Sequence, residues 1–352
     1  MSDPKPVGRR KRGPRFIEIA EAAGVSPTTV NRVLNERGSV SAGTRARVVA
    51  AAKRLGVPRL LPETRRGLTR FDVILARSDT PYFHRLNLAL QRSMQMIDKK
   101  VVVHRTFIQE DDDDRIAHAI LSPPQKRHGL IVAVHDTERV SDALRSVIRS
   151  GVPVVTLMSD IVDVPRLHYA GIDNYRAGRT AGYFLGRLAQ RPGRILLLSN
   201  SLIYRAHAER SNGCRDVIAE MFPALGCSAI NECHDDADRC YLAVMQALNK
   251  YDDLVGIYNS GAGSAGIEAA LRKTGLAGKV VWIGHEKSDE HRQYLENRVM
   301  DLVIDQDPDG QAVSSLQHLL YACGMIEDAP SREPNEFRFF CHENIWHGAY
   351  LR

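Results

Sequence analysis

The chain of 352 residues lacks several features that define common protein classes. No apolar run approaches the roughly 20 residues that a membrane-spanning helix needs. Its six cysteines are scattered without CxxC spacing, which in a chain of this length indicates reduced thiols rather than a disulfide framework. The first residues contain no apolar segment of the kind found in secretory signals. These absences predict a cytoplasmic protein with no membrane partner.

The sequence also has little that supports catalysis. His285 and His291 in "HEKSDEH" are six positions apart, whereas a zinc-protease HExxH motif places two histidines four apart on one helix face. Cys233, His234 and Cys240 lack the paired spacing of a structural zinc site. No serine or cysteine lies in a nucleophile elbow. We therefore expect no metal, no cofactor and no enzymatic activity.

Charge is distributed unevenly along the chain. The total is +6, but residues 1–70 carry 16 Lys/Arg and 5 Asp/Glu, a balance of +11, and the remainder has a balance of −5. A basic N-terminal segment on a mildly acidic body favours binding to a polyanion. Within this segment, residues 1–14 are expected to form a disordered basic tail.

Residues 15–57 contain three short helical patterns. In the first, Ile17, Ala20 and Ala23 share one face, and Gly24 ends the helix. A helix, a short turn and a second short helix form a helix-turn-helix, whose second helix lies in the major groove of DNA. The second helix should bury three apolar side chains: Val30, Val33 and Leu34.

Ser26 is expected to cap the second helix, with Pro27 at its first position. Docking in a major groove would turn the start of this helix toward base edges and its flanks toward phosphates. The candidate DNA-binding residues of the head are Ser26, Pro27, Thr28, Thr29, Asn31, Arg32 and Asn35.

The stretches "IAEAAGVSPTTVNRVLN" and "VSAGTRARVVAAAKRLG" resemble the DNA-binding head of the LacI/GalR family of bacterial transcription regulators. In that family the head binds a palindromic operator as a dimer, and the start of the recognition helix sets base specificity. The resemblance implies that Pro27 and Thr28 read bases, and that Arg32 reaches a base or a phosphate.

The family's next segment is a hinge whose leucine wedges into the minor groove, which places the hinge at residues 58–70 of this chain. Leu61 is the candidate DNA-contacting leucine, with Leu60 and Leu68 as alternatives. A linker stiffened by Pro58 and Pro62 is an equally good interpretation.

From residue 71 onward, short apolar or β-branched runs alternate with amphipathic helical stretches. This alternation predicts parallel α/β sheets, and its length favours two lobes. The predicted fold is a small all-α helix-turn-helix head followed by an α/β two-lobed body with two parallel doubly wound sheets. The body, residues 71–352, would bind an effector and dimerise. Its lobe 1 is predicted at about 71–170 and 301–326, and its lobe 2 at about 171–300 and 327–352.

Ligands of open α/β sheets bind beyond the carboxyl ends of the strands. Aromatic rings there, with an arginine, amides and carboxylates, suit a polyhydroxylated ligand. The candidate effector-binding residues are Asp79, Tyr82, Phe83, Asp136, Asp160, Arg210, Asn259, Glu286 and Gln306.

The body also resembles the two-lobed periplasmic sugar-binding fold that LacI/GalR regulators carry as an effector domain. The resemblance rests on "TPYF", "GIDNYRAGRTAG", "RSNGC" and "DQDPDGQ". It implies that Tyr82 and Phe83 stack on the ligand, that Arg210 is the ligand arginine, and that Gln306 lies in the cleft. Glu286 stands where the family usually has an aspartate, and Asn259 is one residue out of register, so a plain ribose- or galactose-type effector is not implied.

Gly261, Gly263 and Gly266 form a G-x-G-x-x-G pattern between an apolar run and a helical one. The dinucleotide-binding version usually belongs to the first βαβ unit of its domain, whereas at least six strands precede this one. We expect the glycines to let the backbone approach the effector and to open the helix without Cβ clashes. A phosphate at the helix N-terminus, carried by a sugar phosphate, is an alternative.

These inferences predict a cytoplasmic transcription regulator, a homodimer or tetramer that represses from a palindromic double-stranded DNA operator. A small polar effector, either a sugar, a sugar derivative or a sugar phosphate, would bind between the lobes and change operator affinity. The alternative function is an NAD(P)-linked or sugar-converting enzyme that uses the "GAGSAG" turn.

Overall fold

The structure is a computed structural model that describes residues 16–35, 40–55, 57, 68–77, 80–98 and 100–345. The basic tail, the hinge candidates Leu60 and Leu61, and Asp79 lie outside the described residues. The chain divides into two compact units, residues 1–68 with 320–329 and residues 69–319 with 330–352.

The described residues of the first unit form three helices: α1 (Phe16–Ala23), α2 (Pro27–Leu34) and α3 (Ala42–Arg54). Val30, Val33 and Leu34 are buried as predicted, and they pack with residues of α1 and α3 in one small core. In α1, Ala20 and Ala23 are buried as predicted, whereas Ile17 is 57% exposed and Ile19 is fully buried in its place. The buried stripe is therefore Ile19, Ala20 and Ala23, in which the first and last are one helical turn apart.

The second unit begins with a sheet of five parallel strands in the order β2-β1-β3-β4-β5. Its middle strands are buried on both faces, as parallel strands between two helix layers must be. The strands are β1 (Thr69–Arg77), β2 (Val101–Gln109), β3 (Gly129–Ala133), β4 (Val154–Leu157) and β5 (His168–Ala170). The helices between them are α4 (Pro81–Met96), α5 (Asp113–Leu121) and α6 (Glu138–Arg149).

A second sheet of six strands has the order β11-β10-β9-β8-β6-β7. Its strands are β6 (Gly193–Ser199), β7 (Leu225–Glu232), β8 (Leu254–Asn259), β9 (Val281–His285), β10 (Leu302–Asp305) and β11 (Arg338–Phe340). The remaining helices are α7 (Asn174–Leu188), α8 (Arg205–Met221), α9 (Ala237–Lys250), α10 (Ser264–Lys273), α11 (Asp289–Glu296) and α12 (Pro308–Ala322). Separate apolar clusters cover the two faces of this sheet.

The predicted fold class, a helical head and an α/β body with two lobes, is confirmed, with two corrections. Strand β10 pairs with β9 in the second sheet, so residues 302–305 belong to lobe 2 and not to lobe 1 as predicted. Strand β11 pairs antiparallel with β10, so the second sheet is not wholly parallel. The sequence patterns did not indicate β7 or β11, because β7 is only half-buried and β11 is three residues long.

Three segments connect the lobes. The chain passes to lobe 2 after β5 and returns after β10 into α12, whose His318 ring stacks on His168 of β5 at 3.5 Å. After α12 the chain goes back to lobe 2, where Asn335 bridges to Ile172 ahead of β11. Residues that follow strands of both sheets line one cavity, so the carboxyl ends of the two sheets face one cleft.

Candidate functional site

The first candidate site is the N-terminal end of α2. Ser26 caps this helix as predicted: its hydroxyl accepts a hydrogen bond from the Thr29 N–H at 3.2 Å, and Pro27 occupies the first turn. The cap leaves Pro27 and Thr28 exposed at the start of the helix, and Arg32 exposed one turn later. This is the placement that major-groove docking requires of base-contacting residues.

The other candidate DNA-binding residues of the head differ in exposure, and their side chains form hydrogen bonds with one another. Asn35 is exposed and its amide donates to the Asn31 side chain, which is half-buried. Thr29 is half-buried and its hydroxyl lies 2.9 Å from that of Ser26. Ser26 thus bonds with Thr29, and Asn31 with Asn35. Leu61 lies outside the described residues.

The second candidate site is a cavity of about 450 Å³ between the two lobes. Lobe 1 contributes Thr80 to Phe83 at the start of α4, Glu110 after β2 and Met158 after β4. Lobe 2 contributes the segments that follow β6, β7, β8, β9 and β10. A cavity of this size fits a monosaccharide-sized ligand. The residues of lobe 2 that line it with polar side chains are Asn200, Tyr204, His207, Arg210, His234, Asp235, Ser260, Ser264, His285, Glu286, Glu290, His291 and Gln306.

Five of the nine predicted effector-binding residues line this cavity: Tyr82, Phe83, Arg210, Glu286 and Gln306. The two aromatic rings meet edge to face, with centroids 5.4 Å apart. Tyr82 is only 6% exposed, and its hydroxyl donates to Gln311 of α12 at 2.7 Å, so this ring is fixed in the cavity wall. Phe83 is the more accessible of the pair.

Three predicted residues do not line the cavity. Asp160 turns to lobe 1, where it accepts from the Arg166 guanidinium and from the Thr156 hydroxyl. Asp136 accepts from Ser141 at 3.1 Å. Asn259 is 1% exposed and bonds within the glycine turn. Asp136 and Asp160 follow strands and Asn259 ends one, as the prediction required, but a bond to its own lobe directs each side chain elsewhere. Asp79 is outside the described residues.

Arg210 lies at the centre of the lobe 2 wall and is 2% exposed. Its Nε donates to Asn174 Oδ1 at 2.8 Å, its Nη1 to the Ser260 carbonyl at 3.0 Å, and its Nη2 to Gln306 Oε1 at 2.5 Å. These bonds join the starts of α7 and α8 to the ends of β8 and β10. Two of its five N–H groups take no part in these bonds, and the side chain lines the cavity.

Glu286 follows β9 with a φ of +74°, in the left-handed region, which is uncommon for a residue other than glycine. Its Oε1 accepts from the Gln306 amide, whereas Oε2 is buried and has no hydrogen-bond partner among the described residues. Burial raises the pKa of Glu286 to about 8, and the nearby carboxylate of Asp305 adds to the rise. At pH 7 the side chain is therefore mostly a carboxylic acid that can donate from Oε2 into the cavity.

This shift predicts a pH-dependent stability. Glu286 has a pKa of 4.5 in the unfolded chain and of about 8 in the folded protein. Between these two pH values the unfolded state is the one that readily ionises, so the free energy of unfolding of the wild type falls as the pH rises from 4.5 to about 8. Glutamine does not titrate, so the Glu286→Gln variant does not lose this stability. Its free energy of unfolding, relative to that of the wild type, should therefore rise by about 2–4 kcal/mol from pH 5 to pH 8.5. Urea unfolding at the two pH values measures the difference.

The exposed Glu296, on α11 of the same lobe, provides the control. Because it removes a carboxyl from the surface and not from the cavity wall, Glu296→Gln should not reproduce the gain expected of Glu286→Gln. If Glu286→Gln showed no gain either, Glu286 would be an ordinary ionised carboxylate.

Three histidines of the cavity wall are neutral at pH 7. Burial lowers the pKa of His207 to about 3, and it also lowers the pKa values of His285 and His291. His291 Nδ1 lies 2.5 Å from the Glu286 carbonyl, which only accepts, so Nδ1 carries the proton and Nε2 accepts from Ser264 at 2.6 Å. His285 Nε2 bonds to Tyr258 at 2.7 Å, and its buried Nδ1 has no partner in the described part of the chain.

The sequence patterns missed Glu110, Tyr204, Asp235 and Glu290. Glu110 follows β2 and accepts from His135 at 3.0 Å; burial would raise its pKa, but the bonds and charge of His135 lower it. Asp235 follows β7, the strand that the patterns did not indicate. The rule that ligands bind beyond strand ends accounts for Glu110, whose strand is visible as an apolar run, but not for Asp235, whose strand is not.

The three glycines of the G-x-G-x-x-G pattern have separate structural reasons. Gly263 has a φ of +79° and precedes α10. A Cβ at Gly266 would lie 1.7 Å from the Ala237 carbonyl, so this glycine lets α10 pack closely against α9. A Cβ at Gly261 would lie 2.6 Å from the Asp235 carboxylate. The helix begins where predicted, and Gly261 and Gly263 line the cavity. The close approaches of Gly261 and Gly266 are to protein atoms, and the approach of an effector to this backbone stays a prediction.

Two absences hold for the described residues. No group of three or more His, Cys, Asp or Glu side chains there could hold a metal ion. Of the helices in the described ranges, none combines the length and apolar character needed to cross a bilayer.

Two family models match the chain: "Bacterial regulatory proteins, lacI family" at residues 16–57 and "Periplasmic binding protein domain" at residues 71–324. A comparison with curated proteins gives no match.

Many solved structures share the fold of the body. GanP, a glucose-galactose binding protein from Geobacillus stearothermophilus, is 18% identical with a TM-score of 0.71, over 80% of this chain and 99% of that one. An ABC transporter solute binding protein from Burkholderia graminis C4D1M, in complex with D-arabinose, is 18% identical with a TM-score of 0.72, over 79% and 97%. A sugar-binding protein of a Bacillus halodurans sugar ABC transporter is 21% identical with a TM-score of 0.67, over 78% and 98%. With a lacI-type DNA-binding head at residues 16–57 and a periplasmic binding protein domain after it, the chain belongs to the lacI family of bacterial regulatory proteins.

Proposed function

We propose that the protein is a homodimeric repressor that binds a palindromic operator and whose operator affinity is set by a sugar or sugar derivative. The observation that carries the proposal is the cavity of about 450 Å³ that both lobes line, in a chain that also has a DNA-binding head. A ligand that contacts both lobes favours the lobe arrangement in which all its contacts form. Coupling that preference to the heads requires only that operator affinity differ between the arrangements.

The chemistry of the cavity supports a sugar. Phe83 offers an aromatic face for the C–H side of a pyranose ring. Arg210, Gln306 and Glu286 form a connected set of donors and acceptors on the opposite lobe, suited to vicinal hydroxyls. The sugar-binding relatives named above support the same ligand class.

The experiment is fluorescence anisotropy of the purified protein on DNA from upstream of its own and neighbouring genes, at two salt concentrations. We expect tight binding to one duplex and weak binding to its scrambled version, with both weakening as salt rises. A stoichiometry of two chains per duplex would support the dimer. A panel of sugars is then screened for a change in operator affinity.

Arg32→Ala tests the recognition helix. Loss of this exposed arginine, one turn into α2, should weaken operator binding about tenfold to a hundredfold and affect the scrambled duplex much less. Arg187→Ala removes the same charge from an exposed position of α7, and it should leave the affinity for the operator and for the scrambled duplex unchanged. If the wild type bound every duplex equally weakly, both with and without added metabolite pools, the proposal that the protein is an operator-binding regulator would be refuted.

The enzyme alternative finds less support. A dinucleotide would place its pyrophosphate against the glycine turn, where the Ala262 N–H donates instead to the Asp235 carboxylate at 2.7 Å.

A further inference from the structure

The glycine turn before α10 already holds an anion, the side chain of Asp235. The Ala262 N–H donates to Asp235 Oδ1 at 2.7 Å, and the Asn200 amide donates to Oδ2 at 2.9 Å. The Gly261 N–H is also taken, by the Asn259 side chain at 3.2 Å. Since Gly261 has no Cβ, the carboxylate can lie directly against the turn.

The backbone of the preceding loop is bent to place this carboxylate. His234 and Asp235 have φ values of +52° and +57°, both left-handed, and the His234 N–H donates to the Asn200 carbonyl at 3.1 Å. Two consecutive non-glycine residues in this region are unusual and persist only where surrounding bonds fix them. Burial raises the pKa of Asp235 to about 6, so the group is mainly ionised at pH 7.5.

A glycine-rich turn at a helix N-terminus is otherwise suited to phosphate, because its N–H groups and the helix dipole both favour negative charge. Here the protein's own carboxylate has that position. A ligand phosphate that approached the turn would meet a fixed negative charge in a partly water-excluded cavity, where like charges repel strongly.

The rest of the cavity does not compensate for this charge. Glu110 and Glu290 add carboxylates to the wall. Arg210 is the one arginine or lysine among the described residues that line the cavity, and three of its N–H groups are bonded to protein. Two buried polar atoms of the wall lack partners among the described residues, Glu286 Oε2 and His285 Nδ1, and both are neutral groups at pH 7 that can bond to a sugar hydroxyl.

We propose that Asp235 makes this cavity selective against anions, so that the effector is an uncharged or cationic polyhydroxylated molecule and not a sugar phosphate or a sugar acid. That the effector is polyhydroxylated rests on the proposed function. That it is not an anion rests on the contacts of Asp235 alone.

Calorimetry of the full-length protein at pH 7.5 tests the effector class. The probes are aldohexoses and aldopentoses, their 2-amino derivatives, their phosphates and their uronic acids. We expect the phosphate and the acid of the best-binding sugar to bind at least a hundredfold more weakly than the sugar itself. In Asp235→Asn this discrimination should fall at least tenfold. Asp238→Asn, an exposed aspartate in the first turn of α9, should leave it unchanged.

Inorganic phosphate gives a test that needs no sugar. Asp235→Ala frees the Ala262 N–H and the Asn200 amide, so phosphate should raise the Tm of this variant and leave the Tm of the wild type unchanged. If no sugar bound, but phosphate raised the Tm of Asp235→Ala alone, the proposed sugar effector would be refuted. The role of Asp235 in excluding anions would still stand. Phosphates that bind the wild type as tightly as their parent sugars would overturn the inference. So would unchanged discrimination in Asp235→Asn together with no effect of phosphate on the Tm of Asp235→Ala.

Discussion

Replacing Arg210 with alanine is expected to abolish the effector response and to destabilise the body. The guanidinium satisfies Asn174, the Ser260 carbonyl and Gln306 at once, all within a buried region. Its removal leaves three acceptors without a donor, each at a cost of about 1 kcal/mol or more, so we expect a loss of about 3–5 kcal/mol in the free energy of unfolding. The affinity for the best-binding sugar should fall at least about a hundredfold, because the charged donors facing the cavity are lost as well.

Calorimetry and urea unfolding measure the two effects of Arg210→Ala. Arg215→Ala, an exposed arginine on the same helix, should stay within about 0.5 kcal/mol of the wild type in stability and bind sugar normally. Arg210→Lys keeps the charge but reaches fewer of the three partners, so it should fold and still bind sugar at least tenfold more weakly. Wild-type sugar affinity in the lysine variant would show that Arg210 has only a structural role.

A single methyl group on α7 should have an effect of similar size. A Cβ at Gly178 would lie 1.9 Å from the Arg210 carbonyl oxygen and 2.7 Å from its Cα. The obstacle is backbone, so no side-chain rotation relieves it, and α7 and α8 must move apart. We expect Gly178→Ala to lose about 3 kcal/mol or more, and to lower the Tm of the body by roughly 6–12 °C.

The displaced atoms in Gly178→Ala belong to Arg210, so effector affinity should fall together with stability. Gly226→Ala provides the matched control, since the nearest atom to its Cβ would be an Arg194 side-chain nitrogen at 3.5 Å. That variant should unfold within about 0.5 kcal/mol of the wild type. A Gly178→Ala protein of wild-type Tm would mean that the two helices are not held as closely as their glycine contact indicates.

The sequence predicts which edge of each sheet carries the cavity, and this follows from strand order alone. It does not predict the direction of each side chain at that edge. Asp160 follows β4 as Glu286 follows β9, yet Asp160 bonds to Arg166 and Thr156, which lie nearby in the chain. Glu286 has no such partner within its own loop, and its left-handed backbone turns it toward Gln306. Local polar neighbours of this kind decide the direction, and no periodic pattern encodes them.

Asp235 was missed for a different reason. Its position depends on β7, whose half-buried residues give neither a continuous apolar run nor a clean alternation. It depends also on two left-handed residues in the following loop, which only three-dimensional context can stabilise. The glycine pattern was visible in the sequence, but the partner that explains Gly261 is 26 positions earlier and could not be read from spacing.

The way the chain crosses between lobes has a consequence for biosynthesis. Lobe 1 is covered by α12, in which Leu319 lies against Gly129 and Phe71, and the second sheet gains its edge strand only at residues 338–340. Neither lobe is therefore complete while the ribosome is still making the first 300 residues. The head, whose core is formed by residues 19–52, can fold as soon as it emerges. During translation a DNA-binding head thus precedes a body that cannot yet respond to any effector.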